Sequence, residues 1–126
     1  MFGYITLGTN DLKRASAFYD GLLGQIGVTR MTSASALAVW GAKGRTPVLM
    51  VTRPFDGASA SVGNGSMLAI EAANRQGVDA LYALALRLGA GDEGKPGPRG
   101  AGGFYAGYFR DPDGHKLNAY CWDKER

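Results

Sequence analysis

The 126-residue sequence holds one cysteine and one histidine, and no apolar run approaches the ~20 residues needed to cross a bilayer. A single cysteine, Cys121, excludes an internal disulfide and fits a reducing compartment. The single histidine, His115, lies beside a turn and reads as a solvated surface residue. Lys and Arg never occur three in a row. A net charge of +3 and a pI near 9.2 therefore predict no electrostatic stripe for nucleic acid. The opening MFGYITLGTNDL lacks the basic segment and apolar core of an export signal. Together these absences predict a cytoplasmic protein with neither membrane nor nucleic-acid partners.

What is present suits an ordinary globular chain, 45% hydrophobic and 20% charged, long enough for one compact domain or two small modules sharing a core. Glycine, 20 residues in all, is densest after residue 86, and GAGDEGKPGPRGAGG (89–103) is expected to form one flexible loop. YITLGT alternates like a strand, and Asp11 stands where a helix N-cap belongs. Leu12, Ala15, Phe18, Tyr19 and Leu22 follow at helical spacing. A short strand is expected within 28–32, and SALAVWG and TPVLMVT read as a hairpin joined through AKGR. The polar, turn-rich RPFDGASASVGNGS then serves as a linker.

After the linker the pattern returns. MLAIEA alternates, Asn74 is a second N-cap, and Val78, Leu81, Tyr82, Ala85 and Leu88 form a helical stripe. Tyr4 and Met67, Leu7 and Ile70, Asp11 and Asn74, and Tyr19 and Tyr82 are all 63 residues apart. Several matches at one offset indicate an internal repeat. The fold expected is α+β: two tandem β-α-β-β-β modules, about 1–55 and 66–123, with a linker at about 56–65, making one domain over 1–126. Such modules bury one sheet face under helices and curl the other into a cup.

The last strand makes the cup informative. In YFRDPDGHKLNAYCW (108–122), Leu117, Ala119 and Cys121 share one face, and Lys116, Asn118, Tyr120 and Trp122 share the other. By the same alternation Tyr4, Thr6, Met67, Ala69 and Glu71 face the concavity, where Glu71 is the one acid. A buried Glu71 would have a raised pKa and serve as a base, although a strand-end carboxylate facing solvent is the plainer reading. Trp40, Tyr105, Tyr108 and Tyr120 lie in expected strands and are candidates for the walls of a pocket for a planar or hydrophobic ligand. Arg99 either closes over an anion or, on the favoured reading, pins its loop to Asp92 or Asp111.

Two apparent motifs are set aside. GAGDEGKP nearly spells a phosphate loop, but Pro96 replaces the required hydroxyl and the segment follows a helix. Cys121 has no paired histidine and reads as a small buried hydrophobe.

The segments YITLGTNDLKRASAFYDGLLG (4–24), GSMLAIEAANRQGVDALYALALRLGAGDEGKPGPR (65–99) and GYFRDPDGHKLNAYCW (107–122) resemble, in this order, the glyoxalase/bleomycin-resistance/extradiol-dioxygenase superfamily, the vicinal oxygen chelate proteins. The resemblance implies a cup-shaped mixed sheet with helices outside, usually completed by dimerisation, and commonly a divalent metal that chelates vicinal substrate oxygens. The family's ligands are typically histidine on the first strand, histidine or a similar group opening the fifth, and glutamate on the last. These positions carry Tyr4, Met67 and Asn118 here, and a phenol, a thioether and an amide do not neutralise a dication. No metal or other cofactor is therefore expected.

The leading reading is a homodimer that binds a small organic molecule without a metal, as a sequestering or sensing module or a divergent enzyme. Its expected ligand-contacting residues are Tyr4, Thr6, Trp40, Met67, Glu71, Arg99, Tyr105, Tyr108, Asn118 and Tyr120. The alternatives are a metal-dependent lyase or isomerase of lactoylglutathione-lyase type and a structural dimer whose cup is filled by its own side chains.

Overall fold

A computed structural model describes residues 1–123. The fold is α+β, and the chain divides into two compact units between Val62 and Gly63, inside the expected linker. Unit 1 runs β1 (Tyr4–Gly8), α1 (Leu12–Gly24), β2 (Thr29–Ser33), β3 (Leu37–Gly41) and β4 (Val48–Thr52). Its sheet has the order β1-β4-β3-β2, with β1 parallel to β4 and the other pairs antiparallel. Unit 2 repeats the plan with β5 (Met67–Glu71), α2 (Arg75–Arg87), β6 (Gly91–Pro98), β7 (Phe104–Arg110) and β8 (Lys116–Trp122). Its order is β5-β8-β7-β6, again with one parallel pair, β5 and β8.

The helices begin where the sequence provides a cap. The Asp11 carboxylate accepts from the Arg14 amide at 3.0 Å, and the Asn74 amide oxygen accepts from the Gly77 amide at 2.8 Å. Each satisfies one of the N–H groups that a helix start leaves without a partner. Helix α1 buries Ala15, Phe18, Tyr19 and Leu22 toward Ala38, Trp40 and Val51 of its sheet, each at most 2% exposed. Phe18 meets Tyr19 edge-on at 5.0 Å, and Tyr19 meets Trp40 at 5.7 Å. Helix α2 buries Val78, Leu81, Tyr82 and Ala85 in the same way. Its approach to β7 is close: a Cβ on Gly107 would lie 2.9 Å from Pro96 Cγ and 3.2 Å from Tyr82 Cδ1. Only glycine fits there.

The offset of 63 holds for β1 and β5, for the caps and for both ends of the helices. It then slips, since β3 and β7 start 67 residues apart and β4 and β8 start 68 apart. The slip falls on the segment expected to be a flexible loop, which is a correction. Residues Gly91–Pro98 of it form edge strand β6, paired with β7 through two register shifts. The Tyr82 hydroxyl donates to Asp92 Oδ1 at 2.7 Å and ties the start of this strand to α2. Further on, the Arg99 side chain folds back along it. A Cβ at Gly97 would sit 3.2 Å from Arg99 Nη1, and one at Gly94 3.4 Å from Nη2. The glycines leave room for the guanidinium.

Candidate functional site

In unit 2, β8 separates its two faces as its alternation implies. Leu117, Ala119 and Cys121 are buried on the side of α2, at 3% exposure or less. The register places Ala69, Asn118 and Tyr108 in one row on the opposite, open face, and Glu71, Tyr120 and Ala106 in the next. Residues opposite one another in a ladder share a face, so these rows are neighbours. Phe104 stacks on Tyr120 at 5.6 Å and meets Trp122 at 4.8 Å, making an aromatic shelf at one end. At the other end the Tyr108 ring has Arg99 at 5.4 Å and Lys116 at 5.5 Å. Burial raises the Tyr120 phenol pKa, and the charge of Glu71 adds to the rise.

Asn118 lies at the middle of this face. It is 1% exposed, and its Oδ1 accepts no hydrogen bond from any described residue. Leaving a buried acceptor without a donor costs about 1–3 kcal/mol, so such atoms are uncommon in native proteins.

The open face of unit 1 carries Tyr4 and Thr6, both exposed, beside Val48 and Met50. Met67 and Glu71 are likewise exposed on β5. Glu71 therefore lacks, within this chain, the burial on which a general-base role rested.

Two expected wall residues, Trp40 and Tyr105, are placed elsewhere. Trp40 is fully buried on the helix face, where Nε1 donates to Asp20 Oδ1 at 2.8 Å. Tyr105 also turns toward its helix. Its hydroxyl donates to Asp79 Oδ1 at 2.7 Å, the Arg75 guanidinium lies 4.8 Å from its ring, and the Asp79 bond raises its phenol pKa. Arg99 does pin its own segment, but not through an acid. It donates to the carbonyls of Gly97 at 2.9 Å and Lys95 at 2.7 Å. Asp92 accepts instead from Tyr82 and Gly94, and Asp111 from the amides of Asp113 and His115.

Phe104 was not among the expected ligand contacts, although a signal for it existed. Phe104, Ala106 and Tyr108 are two apart and share a face, whereas Tyr105 and Tyr108 are three apart and cannot on an unbulged strand.

The side chains at the three positions of interest do not fit a divalent cation. Tyr4, Met67 and Asn118 offer no carboxylate, imidazole or thiolate. Among the described residues no three of His, Cys, Asp and Glu gather as a metal-binding group. Cys121 is buried, and burial raises its thiol pKa, which keeps it protonated near neutrality. The GAGDEGKP segment follows α2 and belongs to a strand, so it does not cradle phosphate at the start of a helix.

Comparison with known proteins places this geometry. Residues 1–119 match the family model described as Glyoxalase/Bleomycin resistance protein/Dioxygenase superfamily. No curated protein matches the chain. A glyoxalase/bleomycin resistance protein from Albidiferax ferrireducens T118 is 33% identical, with a TM-score of 0.86 over 98% of this chain and 99% of that one. A glyoxalase-related enzyme from Fulvimarina pelagi is 22% identical, with a TM-score of 0.77 over 96% and 87%. Lactoylglutathione lyase from Agrobacterium tumefaciens is 20% identical, with a TM-score of 0.71 over 96% and 92%. The last two share the fold with this chain.

Proposed function

This chain belongs to the glyoxalase/bleomycin resistance protein/dioxygenase superfamily, and from that premise we propose that it binds a small organic molecule without a divalent metal. The observation that carries the reading is Asn118. At the position where the family typically places an acidic ligand, this chain has a neutral amide whose buried Oδ1 finds no donor among the described residues. A bound hydroxyl, amine or amide would supply that donor. The stacked Phe104 and Tyr120 offer apolar surface for the rest of the molecule. The ligand is held by hydrogen bonds and aromatic contact, and the chain works as a homodimer in the cytoplasm. The single cysteine, free and buried, is compatible with that compartment.

The burial of Asn118 also favours a second reading, in which the open face is closed by its own side chains and the role is structural. Whatever reaches the amide must displace a covering group. One experiment separates the readings. Protein purified without chelators is analysed for bound metal and then screened for thermal stabilisation by a library of small organic molecules. Metal below a tenth of an equivalent, with at least one saturable stabilising ligand, is expected. Stoichiometric zinc, nickel, manganese or iron would overturn the metal-free reading. A library without any stabilising compound would favour the structural one.

A further inference from the structure

A groove of about 490 Å3 runs along the helix side of unit 1, between α1 and the segment joining β2 to β3. It is on the opposite side of the sheet from Tyr4 and Thr6, since its floor includes Ala38, a neighbour of Trp40 in phase on the buried face. Three cations line it, Lys13, Arg30 and Arg53, against one carboxylate, Asp20. Asp20 is already neutralised. It accepts from Arg30 at 3.1 and 2.5 Å and from Trp40 Nε1 at 2.8 Å. The Arg30 hydrogen bond holds its carboxyl below the usual carboxylate range.

Lys13 and Arg53 form no ion pair with any described acid. The groove therefore has two uncompensated positive charges, with Ser16 and Ser33 also on its lining. Arg30, held in place by Asp20, presents a fixed edge to the same space. Guanidinium and ammonium groups around a concave surface with hydroxyl donors suit an anion with several oxygens.

We propose that this groove is a binding site for a small multivalent oxyanion, a phosphoryl or polycarboxylate compound. It is separate from the open face of the sheet. The charges are near solvent, so binding is weakened by salt, as screened charges require.

The test is an amide-resolved NMR titration of the whole protein at low ionic strength, once with inorganic pyrophosphate and once with citrate. Saturable shifts centred on Lys13, Ser16, Ser33 and Arg53 are expected. Lys13→Gln and Arg53→Gln should each weaken binding by roughly two- to fivefold, and the double variant should lose it. Lys95→Gln, which removes an exposed cation of unit 2, should leave it unchanged. Response to pyrophosphate alone would assign the phosphoryl class, and response to citrate alone the carboxylate class. Shifts that do not saturate, that spread evenly over the surface cations, or that survive in the double variant would overturn the proposal. If the double variant fails to fold, the two single variants decide the matter by the same criterion.

Discussion

At Asn118, stability and binding are expected to pull in opposite directions. Its Oδ1 is buried and has no donor among the described residues, an arrangement that costs about 1–3 kcal/mol in the ligand-free protein. Asn118→Leu keeps a similar volume and removes that acceptor. It should raise the urea midpoint of the ligand-free protein and weaken a stabilising ligand from the screen by about 1–3 kcal/mol. A variant that loses stability while keeping ligand affinity would show that the amide serves the fold alone. Tyr82 gives a test by pH. Burial first, and then the Asp92 hydrogen bond, push its phenol from 10.0 up to about 12. The folded state thus holds the Tyr82 proton more tightly than the unfolded chain does. Its contribution is fully present below pH 10 and is lost as pH rises from 10 toward 12. Tyr82→Phe should remove this part of the alkaline decline, read as a flatter dependence of urea midpoint on pH than wild type between those values. Identical slopes would count against the assignment.

The elements divide into those that local chemistry specifies and those that pairing imposes. Both helices were legible, because a cap residue and an apolar stripe of period 3.6 coincide at Asp11 and again at Asn74. Asp11→Ala and Asn74→Ala should each cost about 0.5–2 kcal/mol, measured as a loss of unfolding free energy in urea. A change well below that range would mean the cap is replaced by another group. The β8 alternation was equally clear, and it located Asn118. Strand β6 was not legible. Glycine is a poor strand former, and what makes Gly91–Pro98 a strand is its partner β7 and the returning Arg99, neither of which is a local signal. Trp40 failed for a different reason. In LAVWG both phases are apolar, so alternation cannot say which faces the helix, and the Asp20 acceptor that decides it is 20 residues away. Gly107 gives the element-scale check on packing. Gly107→Ala should cost about 1–3 kcal/mol, because its Cβ would crowd Pro96 and Tyr82. An unchanged urea midpoint would show that α2 and β6 can shift apart freely.

At the scale of the whole molecule, the chain leaves large apolar side chains uncovered where a monomer has little reason to. Phe2 is 62% exposed, Tyr4 64%, Met67 42% and Trp122 49%. Single exposed apolar residues are normal on any protein. Here, however, Tyr4 opens β1 and Met67 opens β5, each an outer strand of its own sheet, so exposed apolar surface coincides with a sheet edge. Such edges are prone to pairing with another chain unless they are covered or charged. Covering them in a second copy would remove both liabilities, which argues for a homodimer. Light scattering in line with size exclusion should then give about twice the 13.3 kDa chain mass at micromolar concentration. Met67→Asp, which places a charge at the exposed start of β5, should shift the population toward single chains while circular dichroism stays unchanged. A mass of 13.3 kDa for wild type throughout the micromolar range would overturn the dimer, and would assign these apolar side chains to ligand contact or to no partner.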